Sequence, residues 1–434
     1  MSLVNFTMAL KEDIPEKPSG SAGCNRCPSL LNEKTESSQI LSIFPGSAKS
    51  LSSTANSTHL QWYSRWLDQQ LKNVPPFIVD RLECFPTTFL EIAKFAKGNS
   101  SIDDIATSLL QSDLIKVQDA GDGREAARTL VFAILGWQTM LYAPAFGTCP
   151  PQQLSIVDVL GGYTGQAFMT LKQDHSRIAC CLPDFLLGFG LMLPRENLCI
   201  SEDPEDCQAF EKVAIVNPAE FNASLLRNLA RINIQWVDVM APHLEFDKAT
   251  NTLFLFRYPS FCIANIPSNE DPHTRGVIHG CAARADGMSQ WASETEVTQL
   301  LYEILLSYRL LFGQTKDSRR LFQSMKVFEG EPIEAHDPLL PLLCGSKTIA
   351  LPTSCKEREF YRLSRDFPIL RSRIASLQQQ MSILKPRGWR EIWQDKRDSA
   401  QWYTFWAVIA IGGSGILLSL IQVILQAAQL AGAH

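Results

Sequence analysis

The sequence predicts an α+β fold: a predominantly helical cytosolic domain with a small β-hairpin or sheet, then a heptad helix and a single C-terminal transmembrane helix. Three observations predict it. Apolar residues recur at three- and four-residue spacing through most of the chain, short alternating runs cluster between residues 150 and 290, and Trp402 to His434 contains no Asp, Glu, Lys or Arg. Helices, a sheet and a span follow in turn.

Composition bounds the rest. A chain of 434 residues with 45% hydrophobic and 20% charged positions can bury a sizeable core, and a mean hydropathy of −0.04 excludes a bundle of spanning helices. A net charge of −5 and a pI near 5.9 give nucleic acid no basic face to hold. The 12 cysteines are scattered, as free thiols in a reducing compartment are. The opening MSLVNFTMALKEDIPEK lacks a basic and then apolar signal region, so the bulk of the chain is expected in the cytosol. Sequons at Asn5, Asn56, Asn99 and Asn222 then stay unmodified.

Residues 1–60 are Ser-rich, as in SGSAGCNRCPS and SAKSLSSTANST, and read as disordered. Cys24 and Cys27 have the spacing of half a zinc site, but no second pair completes it. Residues 61–350 read as one globular domain. Phe89, Ile92, Ala93 and Ala96 mark a helix, and Ser101 with Asp104 marks the capped start of the next. Residues 129–146 are uncharged, but Gln138 and Pro144 interrupt them, which leaves a buried core helix or a second membrane contact. Ile232, Ile234 and Trp236 alternate, and LEFDKATNTLFLF reads as two strands around a turn. Ser293 and Glu296 form a capping box before a helix that presents Val297, Leu300, Leu301, Ile304, Leu311 and Phe312 and ends at Gly313.

Over 351–385, Phe360, Leu363, Phe367, Leu370, Ile374, Leu377, Met381 and Leu384 step by three and four, a heptad pattern that Pro368 interrupts. Such a face serves either a second copy in a coiled coil or the chain's own domain. A basic juxtamembrane segment, 386–401, and its approach carry Lys385, Arg387, Arg390, Lys396 and Arg397, and such residues stay on the cytosolic side. The transmembrane helix is expected over 402–425, with Trp402 and Trp406 at its headgroup boundary and Gly412, Gly413 and Gly415 permitting close helix approach. Gln422, Gln426 and Gln429 share a face. With only a short tail, 426–434, beyond it, the layout is that of a tail-anchored protein on an intracellular membrane.

Catalytic templates are missing: there is no phosphate-cradling loop, nucleophile elbow or zinc-protease helix in the sequence. Asp103–Asp104 and the cluster Glu202, Asp203, Glu205 and Asp206 are candidates for magnesium, as in a divergent cyclase. His273, His279 and Cys281 are candidates for a transition metal, without an evident fourth ligand. No cofactor is expected.

The tail WREIWQDKRD, WYTFWAVIAIGG and LLSLIQVILQAAQ, with FPTTFLEIAKFAKG, LVFAILGWQTMLY, HLEFDKATNTLFLFRYPSFC and LLSYRLLFGQ upstream, resembles an uncharacterised family of membrane proteins from filamentous fungi. The resemblance spans most of residues 80–425 and implies a membrane tether; it carries over no catalytic residue. The leading expectation is a membrane-anchored interaction or scaffold protein that forms homo-oligomers through its heptad and transmembrane helices. The alternative is a membrane-bound enzyme of specialised metabolism acting on an apolar small molecule.

Overall fold

The computed structural model describes residues 39–45, 60–79, 82, 85–96, 99–116, 120–146, 153–158, 171–190, 215–267, 275–282, 292–347, 357–383 and 399–431. Within them the protein is mostly helical, with small sheets and one apolar helix at the C-terminal end.

The first helices pack as their apolar spacing demands. Helix α1 (Gln61–Lys72) buries Trp62, Tyr63, Trp66 and Leu67, and α2 (Phe85–Phe95) buries Phe85, Phe89 and Ile92. Residues 39–45 lie inside the stretch expected to be disordered, yet Ile40 and Phe44 are buried. The Phe44 ring meets Tyr63 edge-on at 5.1 Å and Phe261 at 5.6 Å. Helix α3 (Ile102–Gln111) starts at the expected capping box: the Asp104 amide donates to Ser101 Oγ at 3.0 Å, and the Ser101 amide donates back to Asp104 Oδ2 at 3.0 Å. Helix α4 (Ala120–Thr139) runs through the core, with Leu130 to Leu135 buried on every side. Its uncharged run is therefore a core helix, and the Gln138 amide is bonded to the Phe89 carbonyl at 2.6 Å.

Strands β1 (Pro144–Ala145), β2 (Gln153–Ile156) and β3 (Lys172–Asp174) form an antiparallel sheet beside α5 (Leu182–Leu187). Strand β4 (Ile215–Val216) precedes α6 (Ala223–Asn228), whose N-cap is Asn222. Strands β5 (Asn233–Val237), β6 (Phe246–Asp247) and β7 (Thr252–Phe256) make the central sheet in the order β5-β7-β6. The expected β6–β7 hairpin is present and antiparallel. Strand β5 is the addition, pairing parallel to β7 with Ile234 opposite Leu253 and Trp236 opposite Leu255. All five β7 residues are buried, as a central strand covered on both faces requires.

Helices α7 (Pro259–Asn265) and α8 (Val277–Gly280) lead to α9 (Glu294–Tyr308), which opens at the Ser293–Glu296 capping box. It then widens into a π-helical turn, Arg309–Gly313. A Cβ on Gly313 would sit 2.3 Å from the Arg309 guanidinium carbon, so this close approach requires glycine. Helices α10 (Lys316–Ser324) and α11 (Leu339–Gly345) follow.

The expected continuous heptad helix does not form. Strand β8 (Tyr361–Arg362) pairs with β4, α12 (Leu363–Asp366) is a single turn, Phe367 leaves the helical region at φ −139° and ψ 51°, and α13 (Arg371–Ile383) starts afresh beyond Pro368. Proline has no amide hydrogen to give a helix, so the chain turns there. Leu363, Phe367, Leu370, Ile374, Leu377 and Met381 are buried in this domain's own core, so these heptad positions are not open to a second copy; Phe360 is exposed, and Leu384 lies outside the described residues. The last helix, α14 (Ser399–Ala431), overruns the expected span at both ends.

Helix α13 is fastened from its start. The buried Glu303 carboxylate of α9 accepts the Ile369 and Leu370 amides at 3.0 and 2.7 Å, and Arg373 pairs with Glu245 at 2.8 Å. Glu303→Ala orphans those two amides and should cost about 1–3 kcal/mol, whereas Ser101→Ala at the α3 cap should cost about 1 kcal/mol; urea unfolding in detergent measures both.

Candidate functional site: the terminal helix and the buried polar groups

Two things could carry function here: α14, and polar groups inside the domain. In α14 the stretch Trp406–Gln426 has 21 residues, which at about 1.5 Å per residue covers a hydrocarbon core of about 30 Å. None of it is buried against the rest of the protein. Ile411 is 73% exposed and Leu417 60% exposed, an arrangement water penalises and lipid does not. Trp406 is half-buried, and the Trp402 side chain lies outside the described residues.

Gly412, Gly413 and Gly415 have open space around the positions a Cβ would take. At 100° per residue Gly412, Gly415 and Ser419 share one face, which Gln422 and Gln426 continue, while Gly413 points away from it. A shallow groove runs there, lined by Gly412, Gly415, Ile416, Ser419, Leu420 and Val423. The Ser414 and Ser419 hydroxyls are satisfied within the helix, on the carbonyls of Ile411 and Gly415 at 2.8 and 2.9 Å.

The chain matches no protein-family model, no curated protein and no solved structure. The residues themselves therefore carry the functional reading.

Inside the domain the polar candidates are committed to structure. The Asp103 carboxylate is held by Arg124 at 3.0 Å and Arg128 at 2.7 Å, and Asp104 closes its capping box, so this acidic pair offers no free face to magnesium. Glu202, Asp203, Asp206 and His273 lie outside the described residues, as do Cys24 and Cys27. His279 is buried with Nε2 on Thr298 Oγ1 at 3.1 Å, and burial, with Arg275 nearby, pushes its pKa down to about 4. Cys281 is buried and its thiol is pushed up to about 12. No group of three metal-ligating side chains occurs among the described residues. Asn222, a sequon on paper, is buried and occupied: its Oδ1 caps α6 at the Leu225 amide and accepts from Ser318 Oγ at 3.0 Å.

Sequence reasoning missed four polar centres. His243, also buried, accepts the Phe256 amide on Nδ1 at 3.2 Å and meets Ser307 Oγ through Nε2 at 2.8 Å; burial and then the nearby Arg373 push it down to about 3, so it stays neutral. Arg309, fully buried, bonds Glu357 and donates to the carbonyls of Leu343, Ser346 and Lys347 at 2.6–3.0 Å, closing the C-terminus of α11. Asp238 and Arg257, the residues just after β5 and β7, pair with one another, and Arg257 also holds Glu331 at 2.7 Å. Parallel pairing puts both strand ends side by side. Asp337 sits fully buried between Ser260 and Leu339. The available signal was charge at positions whose neighbours are all apolar, as at Glu303 and Arg309.

Buried thiols follow from this packing. In the folded protein at pH 8, maleimide should modify the half-buried Cys180 while Cys281 and Cys344 stay unmodified until denaturant is added, as read by peptide mass spectrometry.

Proposed function

We propose that this is a membrane-anchored interaction or scaffold protein, held by α14 as a single pass on an intracellular membrane with its domain in the cytosol. The observation that carries the reading is the apolar stretch Trp406–Gln426, exposed along its length but for the half-buried Trp406, in a chain whose domain buries its own apolar core. Orientation rests on Lys385, Arg387, Arg390, Lys396 and Arg397 before the span, which favour the cytosolic side. Interaction is favoured over catalysis because the candidates Asp103, Asp104 and His279, with Glu303, Asp238 and His243, are spent on caps, ion pairs and core bonds. Extraction at alkaline pH tests the anchor. The full chain should remain with the membrane pellet and a chain ending at Ser399 should be released; equal partitioning of the two defeats the reading.

The partner in the membrane is a second copy of α14. Two copies inserted with the same topology are parallel, so each residue of the Gly412–Gly415–Ser419 face meets its own counterpart at the same depth. Small residues let the backbones approach, and a glutamine amide is both donor and acceptor, so Gln422 complements itself. Energy transfer between donor- and acceptor-labelled copies in lipid vesicles should fall several-fold in Gly412→Leu/Gly415→Leu. Gly413→Leu, on the other face, should leave it unchanged. Transfer indifferent to the face substituted rules out this contact.

A further inference from the structure

Residues 39–45 meet the domain as a peptide meets a groove. They form a single helical turn whose Ile40 and Phe44 side chains, four positions apart and so on one face, are 0% and 1% exposed. Pro45 behind them is buried too, while Gln39 and Ser42 are exposed. The turn's hydrogen bonds are its own. The Ser42 amide and hydroxyl donate to the Gln39 carbonyl at 3.0 and 2.6 Å, and the Phe44 amide donates to the Leu41 carbonyl at 3.3 Å. The segment carries no charge, and among the described residues no hydrogen bond joins it to the rest of the domain. One turn is too short to persist in water, so the groove imposes its shape.

The walls are braced without it. Phe44 packs edge-on against Tyr63 of α1 at 5.1 Å and Phe261 of α7 at 5.6 Å. Behind the groove the Tyr63 hydroxyl donates to the Trp137 carbonyl of α4 at 2.8 Å, and the Tyr63 ring stacks on Trp66 at 5.6 Å. The Phe261 carbonyl accepts the Asn265 side-chain amide at 3.0 Å, and the Phe261 ring meets Phe256 of β7 at 6.4 Å. At the rim Gly276 leaves room for the proline: a Cβ there would lie 2.3 Å from Asn265 Oδ1 and 3.4 Å from Pro45 Cδ. Connectivity does not force the contact either. Residues 46–59, which lie outside the described residues, join Pro45 to Leu60 at the head of α1, and an extended chain of that length reaches about 50 Å.

We propose that this groove between α1 and α7 is a docking site for an uncharged helical turn of a partner protein, carrying an aliphatic and an aromatic side chain four positions apart, and that residues 39–45 fill it in cis until such a partner displaces them. The inference deepens the interaction reading, on which it rests, by naming the partner's chemistry. The observed occupant supplies the pattern: side chains at i and i+4 are how a helix is read by a groove, and an aromatic anchor among aromatic walls is the usual centre of such a contact. A segment on the same chain as its groove competes strongly with any free peptide.

Fluorescence anisotropy of a labelled synthetic peptide, residues 37–49, tests this on the full chain in lipid nanodiscs. The unaltered chain should bind it weakly, and Ile40→Ala/Phe44→Ala in the chain should tighten binding about tenfold or more by vacating the groove. The same two substitutions placed in the peptide should abolish binding. Equal affinity of the two chains for the unaltered peptide overturns the proposal, and so does undiminished binding of the altered peptide. Where the substituted chain misfolds, the unaltered chain decides. Peptide carrying benzoylphenylalanine in place of Phe44, at millimolar concentration, should label α1 or α7 on irradiation, as mapped by mass spectrometry; labelling elsewhere, or none, defeats the proposal. Alkaline extraction reads the anchor separately, so a failed groove and a failed anchor are told apart.

Discussion

Buried polar groups at the ends of strands and helices must find partners, and in this protein one helix supplies several of them. From α9 and its π-helical extension, Glu303 receives the amides that start α13, Ser307 holds His243 beside β7, Tyr308 donates its hydroxyl to the Phe256 carbonyl, and Arg309 closes the end of α11. An unsatisfied buried group costs about 1–3 kcal/mol, so these four positions bind separate layers into one core more firmly than their number suggests. The π turn is what makes the last of them reach: one extra residue per turn brings Arg309 against Gly313 and aims the guanidinium at Leu343.

The same constraint explains which features could be read in advance. Capping boxes at Ser101 and Ser293 and the hairpin of β6 and β7 are set by residues three to seven positions apart, and the chain spells them out. The parallel pairing of β5 with β7 is not spelled out, because Asn233–Val237 alternates equally well beside any strand. The heptad run failed for a readable reason. Its period is correct from Leu363 to Met381, but Pro368 divides it and a three-four period does not say whether the face meets a partner or its own domain.

Candidate sites were legible only as residue types. Asp103 and Asp104 look like a metal pair until Arg124 and Arg128, twenty-odd positions away, arrive on the neighbouring helix α4. His279 and Cys281 are donors by type but are sealed in the core, the one on Thr298 and the other among apolar side chains. Asp337 gave no sign beforehand, since an Asp-Pro step usually marks an exposed turn and only the fold turns it inward onto Ser260.

Helix α13 has a mechanical meaning as the last described element before the span. Among the described elements, tension applied through α14 reaches this one first. It meets a short helix seated by Leu370, Ile374, Leu377 and Met381, with Arg373 bolted to Glu245 in its first turn and Glu303 anchoring its head. The pull arrives at the helix tail, farthest from that head, so α13 would peel turn by turn, yielding at Met381 well before the load reached the sheet.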